Sequence, residues 1–89
     1  MKEPDHYVYI LECGDGSYYT GYTTNVEQRM QMHKSGKGAK YTRGRGPLRL
    51  VYKQRFSTKR EAMQVEYDMK KMKRKDKQAL LQKVMEDNP

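Results

Sequence analysis

The chain is predicted to fold as an α+β domain, a small three-stranded antiparallel sheet with about three flanking helices in the order β-β-α-β-α-α. Three observations predict it. Two aromatic and apolar runs flank Gly14-Asp15-Gly16-Ser17, a cluster of residues that accept positive φ or bond their own backbone, as a hairpin turn requires. A later run, Leu48 to Phe56, alternates apolar with basic residues at the period of a strand. Thr24 with Glu27, and Thr58 with Glu61, each place a hydroxyl three residues before a glutamate at the head of a periodic segment, the signature of a helix N-terminus.

Met1 to Asp5 is a polar lead-in. His6 to Cys13 forms the first strand, with Val8, Ile10 and Glu12 on one side and Tyr7, Tyr9 and Leu11 on the other. Tyr18 to Thr23 forms the second, again rich in aromatic and β-branched residues. Two to four residues close the loop between them. The register is left open, and a slip of one residue moves Tyr19 to the opposite face. The first helix runs from Thr24 to about Lys34 with Val26, Met30 and Gln31 or Met32 turned inward, and on it Arg29 and His33 share a face at i, i+4. A glycine-rich loop follows at 36–47, where Lys37, Lys40, Arg43 and Arg45 supply charge and Tyr41 an aromatic ring. Structureless loops of that length are usually functional.

In the third strand Leu48, Leu50, Tyr52 and Gln54 face one way, and Arg49, Val51, Lys53 and Arg55 face the other, basic side. The second helix carries an apolar stripe of Ala62, Val65, Met69 and Met72, with Met63 as further core filler. Glu66 lies on or beside that stripe, where a lone carboxylate is unfavourable unless it is paired or binds a metal. A break near Arg74-Lys75 lets Asp76 cap a last helix holding Ala79, Leu80, Leu81, Val84 and Met85.

Composition narrows the function. Eighty-nine residues leave room for one domain, residues 1–89 with a core of about 6–80. The lone Cys13 cannot form an internal disulfide and reads as a buried strand residue. No signal peptide or membrane-length apolar span is visible, which points to the cytoplasm and away from membranes. The net charge of +8 is uneven: 1–33 carry two basic and five acidic side chains, 34–60 carry ten basic and none acidic, and 61–89 carry seven against six. A one-signed block of that size calls for a polyanion, and nucleic acid is the natural partner.

The unusual polar residues, in order, are Tyr9, Tyr19, Arg29, His33, Tyr41 and Glu66. Their order on these elements resembles the GIY-YIG nuclease family. Tyr7-Val8-Tyr9 stands in place of the first tripeptide and Tyr19-Thr20-Gly21 in place of the second, with ten residues between the tyrosines. Arg29 follows ten residues later, His33 one turn on, and Glu66 stands where the family's metal-binding glutamate lies. The resemblance covers roughly 6–80 and is closest to the small stand-alone members. The chain departs from the pattern at Tyr7, Thr20 and Tyr22, and the family's late asparagine has no counterpart, Asn88 being too close to the end.

The resemblance implies hydrolysis of DNA phosphodiesters with one divalent ion, Mg²⁺ or Mn²⁺, held by Glu66, in a structure-selective rather than sequence-specific manner. Tyr9, Tyr19, Arg29, His33 and Glu66 are then the catalytic set, with Gly21, Lys37, Lys40, Tyr41, Arg43 and Arg45 on the nucleic acid. A single hard oxygen ligand suffices for Mg²⁺, which keeps most of its waters. Arg29 offers a donor fork to a phosphate as charge builds up. One tyrosine activates water and the other holds phosphate; which is which stays open, since a phenol with pKa near 10 is a poor base unless a neighbour assists it. Sequence specificity, if any, would come from a protein partner. Two other readings compete: a non-catalytic nucleic-acid-binding module on the same scaffold, and a basic helix over 59–83 docking on an acidic surface, which its balanced charge disfavours.

Overall fold

The computed structural model describes residues 5–36 and 46–87. Its elements follow the expected order: β1 (His6–Glu12), β2 (Tyr18–Thr23), α1 (Val26–Lys34), β3 (Arg49–Phe56), α2 (Lys59–Lys70) and α3 (Arg74–Asp87). The sheet is antiparallel with strand order β2-β1-β3, so β1 is the middle strand and makes both ladders.

A middle strand covered on both faces should read as an unbroken apolar run. Val8, Tyr9, Ile10 and Leu11 are all buried. Val8 and Ile10 point into a core shared with Tyr52 of β3, Ala62 and Met69 of α2, and Leu81 of α3, with Val65, Met72 and Leu80 packed at its margin. Tyr9 and Leu11 point to the opposite face, where Tyr9 meets α1. The stripe expected on α2 is therefore observed, except that Met63 turns outward and is exposed. Cys13 is buried.

The hairpin closes within the expected length. Glu12 pairs with Tyr18, and the ladder continues one step further through the Cys13 N–H donating to the Ser17 carbonyl at 2.8 Å. That leaves Gly14-Asp15-Gly16 as the turn. Gly16 adopts φ +84°, a conformation costly for any residue with a Cβ, and the Asp15 carboxylate accepts the Ser17 N–H at 3.0 Å.

Four local expectations are corrected. Helix α1 is capped by Asn25 and not by Thr24: the Asn25 side-chain oxygen accepts the Gln28 N–H at 3.0 Å, while Thr23 Oγ1 accepts the Asn25 N–H at 3.1 Å. An amide in the extended conformation reaches the free N–H of the first turn, so the capping box around Thr24 is not formed. On α1 the buried residue is His33, whereas Gln31 is exposed. In β3 the alternation breaks, because Ile10 pairs with Tyr52 but Leu11 pairs with Leu50. Val51 is the extra residue of a β-bulge, and it packs at the margin of the core instead of on the basic face. Finally, the break between α2 and α3 falls at 71–73, which puts Asp76 inside the first turn of α3 and not at its cap. The second capping box does form: the Glu61 N–H donates to Thr58 Oγ1 at 3.2 Å.

Ile10 is fully buried at the centre of the core. Ile10→Ala is expected to lower the unfolding free energy by about 2–5 kcal/mol, the usual range for such a cavity. By contrast Arg49→Ala removes only an exposed pair with Glu12 at 3.4 Å, and should change stability by less than about 1 kcal/mol. Urea denaturation of the two variants tests whether the buried centre of β1, and not the exposed pair at its end, carries the fold.

Candidate functional site

The pairing of β1 with β2 decides the question that the hairpin sequence left open. Tyr9 lies opposite Gly21 and Leu11 opposite Tyr19, so Tyr9 and Tyr19 share one face of the sheet as diagonal neighbours. Their ring centroids are 6.3 Å apart. On the same face β3 places Lys53 directly opposite Tyr9.

Gly21 is required by space. A Cβ built there would stand 2.5 Å from both Cζ and Oη of Tyr9, so the phenol lies across the glycine backbone. With its ring laid over β2, Tyr9 delivers its hydroxyl to helix α1, where it is hydrogen-bonded to His33 Nε2 at 2.8 Å. The His33 ring also meets the Tyr19 ring edge-on, with centroids 5.4 Å apart. Arg29, one turn before His33, brings its guanidinium beside both phenols, and the Arg29 Nε is buried without a hydrogen-bond partner among the described residues.

Electrostatics assigns the protons. Burial pushes the Tyr9 phenol up to about 12, aided by the neighbouring Tyr19 and Glu66 and opposed by Arg29. Burial, together with the positive charge of Arg29, holds His33 below the usual histidine range. Near neutral pH Tyr9 is therefore a phenol and His33 a neutral imidazole, and in the tautomer protonated at Nδ1 the hydrogen bond runs from the Tyr9 hydroxyl to Nε2. The hydrogen-bonding interaction with Tyr9 raises Arg29 further, so its charge is permanent.

Tyr9, Tyr19, Arg29 and His33 are thus brought together by β1, β2 and α1. Glu66 arrives from α2. Its side chain is largely buried, it pairs with Lys70 at 3.6 Å across one helical turn, and its charge is felt at Tyr9. Glu66 is thus paired, as a carboxylate beside an apolar stripe requires, and it also lies within electrostatic reach of Tyr9. Among the described residues no three His, Cys, Asp or Glu side chains are grouped to hold a metal. Lys37, Lys40, Tyr41, Arg43 and Arg45 lie outside the described residues. Lys53 escaped notice as an individual residue, because only the β1–β3 register sets it against Tyr9.

Known proteins resemble this chain over most of its length. Residues 5–79 match the model of the GIY-YIG catalytic domain. The UPF0213 protein BH0048 of Halalkalibacterium halodurans is 61% identical over 77 residues, covering 86% of this chain and 82% of that protein. A UPF0213 protein of Natronomonas pharaonis is 54% identical over 77 residues, 86% of this chain and 91% of that one. Among solved structures, the solution NMR structure of BH0048 superposes with a TM-score of 0.59 at 60% identity, covering 88% and 83% of the two chains. That of the protein EF2693 from E. faecalis gives 0.65 at 42% identity, covering 94% and 90%.

Two outcomes follow from the Tyr9 geometry. Gly21→Ala forces the Tyr9 ring aside; overpacking of this kind is expected to cost about 1–3 kcal/mol and to break the bond to His33. Loss of the slow-exchanging Tyr9 hydroxyl proton by NMR, alongside a fall in melting temperature, is the measurement. A second outcome concerns pH. His33 is depressed in the folded state, so its contribution to stability is complete above about pH 6.5 and is lost as pH falls from there through its folded pKa. Tyr9 is raised, so its contribution is complete below about pH 10 and is lost as pH climbs towards 12. Replacing His33 with Asn should flatten the acid limb of a stability–pH curve and leave the alkaline limb in place.

Proposed function

The chain belongs to the GIY-YIG family of nuclease domains, and on that premise we propose that it is a metal-dependent DNA endonuclease that selects substrates by structure. The single observation that carries the reading is the Tyr9 hydroxyl hydrogen-bonded to a neutral His33 at 2.8 Å, with Arg29 and Tyr19 beside it.

A phenol raised towards 12 cannot act as a base by first losing its proton to solvent. It can act as a relay. As water attacks phosphorus, one water O–H bond breaks and its proton passes to Tyr9 Oη. The Tyr9 proton passes in the same step to His33 Nε2, which becomes imidazolium. Tyr9 begins and ends as a phenol, so its raised pKa is no obstacle, and the depressed pKa of His33 keeps an acceptor ready at neutral pH. This supports Tyr9, rather than Tyr19, on the attacking side.

Arg29 faces the developing charge. Its guanidinium is permanently cationic, and its Nε–H has no acceptor among the described residues, so a phosphoryl oxygen is a suitable partner. Tyr19, sharing that face and beside Arg29, would hold the phosphate through its hydroxyl. Gly21 acts indirectly, by leaving room for Tyr9.

The donor set fits one hard cation with few protein ligands. Glu66 is one carboxylate near the tyrosines, and among the described residues no three His, Cys, Asp or Glu side chains are grouped there, which suits Mg²⁺ or Mn²⁺ retaining most of its waters. Bound there, the ion would polarise a phosphoryl oxygen and stabilise the leaving oxygen. Lys70 neutralises Glu66 in its absence.

The test is nicking of supercoiled plasmid and of branched DNA with Mg²⁺, read on gels. Tyr9→Phe and His33→Ala are expected to lower the rate roughly 10²–10⁴-fold, the usual worth of positioned proton transfer. Glu66→Gln should do the same, while DNA binding by mobility shift persists in all three. Binding without nicking by the unaltered protein, across Mg²⁺ and Mn²⁺, would instead support a nucleic-acid-binding module. Unchanged cleavage by Tyr9→Phe would sink the relay.

A further inference from the structure

The active face of β2 is not its only polar feature. On the other face, Thr20 pairs with Ile10 and so points towards the helical layer, where its hydroxyl is buried with no hydrogen-bond partner among the described residues. Beside it a cavity of about 210 Å³ is lined by Tyr18, Tyr19, Thr20, Lys70 and Lys77. A second, of about 280 Å³, is lined by Ser17, Tyr18, Met72, Arg74 and Lys77. The two share Tyr18 and Lys77 and form one groove along the outer edge of β2. Its lining includes three cations and no carboxylate.

Lys77 is the residue that needs explaining. It is only 8% exposed, four residues before the buried Leu81 and thus on the core-facing side of α3. Buried lysines are rare unless paired. Among the described residues no carboxylate forms an ion pair with Lys77, and Lys70 adds a second positive charge nearby. Burial first, and Lys70 second, hold the Lys77 ammonium below the ordinary lysine range, the response of a cation lacking a counter-charge. Arg74 lies against the hairpin turn, its Nη2 3.1 Å from where a Cβ of Gly16 would be, and closes the far end of the groove.

We propose that this groove, with Lys77 at its base and Lys70 and Arg74 on its walls, holds a backbone phosphate of the nucleic-acid strand whose scissile phosphate lies on the opposite face of β2. The proposal rests on the nuclease reading for its direction. Tyr19 belongs to both places, in the tyrosine–histidine cluster and in the lining of the groove. Lys70 likewise ties them, since it pairs with Glu66 on one side and lines the groove on the other. A strand crossing the β2 edge would thus place a phosphate diester beside each cation in turn. A phosphate would supply the counter-charge that no described side chain gives Lys77.

The experiment uses the whole protein with a twelve-nucleotide single strand and with a short duplex, metal-free, so that binding is read without cleavage. Two-dimensional NMR follows Thr20, Lys70, Arg74 and Lys77, and affinities are measured over a range of salt. Each lost phosphate contact lowers the slope of log K against log salt by about 0.7 for single strands and about 0.9 for duplex. Lys77→Met, which keeps the buried stem, should lower it by about that amount. Arg74→Gln, at an exposed position, gives a second reading that does not depend on the core. Saturable shifts at Lys77 with a reduced slope in either variant support the proposal, even if no metal ever yields cleavage and the nuclease reading fails. Shifts confined to Tyr9, Tyr19, Arg29 and His33, with slopes unchanged, overturn it and leave that reading standing. Shifts at Lys77 with poly-glutamate but not with DNA would assign the groove to an acidic protein and overturn it as well, as would no shift with any probe.

Discussion

Everything on the candidate active face depends on a steric fact: the Tyr9 ring occupies the space that any side chain at position 21 would need. Because the ring lies across Gly21, its hydroxyl reaches over β2 to α1 and meets His33 at 2.8 Å. Three elements are locked by one side chain. The burial that follows raises the phenol and depresses the imidazole, which leaves both neutral near pH 7. A residue type at one position thus fixes a ring orientation, a hydrogen bond and two protonation states. The second tripeptide ends in glycine for the sake of the first.

Much of this was legible in the sequence because the fold is locally consistent. The face assignments in β1 follow from its alternation, the apolar stripe of α2 from its spacing, and the i, i+4 relation of Arg29 and His33 from helical geometry. What could not be read was set by pairing between segments. Whether Tyr9 and Tyr19 share a face is a matter of register, and Lys53 becomes their neighbour only through the β1–β3 ladder. The bulge at Val51 has no local signature, since an extra residue in a strand looks like any other until its partner is known. The cap of α1 went to Asn25 rather than Thr24 because adjacent capping residues compete, and backbone conformation decides between them.

Glu66 and Lys77 show the limits of pattern reading in another way. Both are charged residues on the core-facing side of a helix. Glu66 stood out because it lies within a clean apolar stripe, and the structure gives it both a partner in Lys70 and proximity to the tyrosines. Lys77 did not stand out, because α3 is short of apolar residues before Leu80 and surrounded by lysines, so one more looked solvated. Only burial against β2 distinguishes it from Lys73 or Lys75.

The strand order has a consequence for motion. All strand pairing in the sheet passes through β1, so β1 cannot open unless both ladders break at once, whereas β2 and β3 can each peel away singly. Its amides should therefore exchange with solvent only on global unfolding, and those of the edge strands on smaller, cheaper openings. Tyr9 stands on the slowest part of the molecule and Tyr19 on a faster one. The proposed proton relay would thus be anchored in the rigid centre, while the tyrosine beside it rides on an edge that can yield.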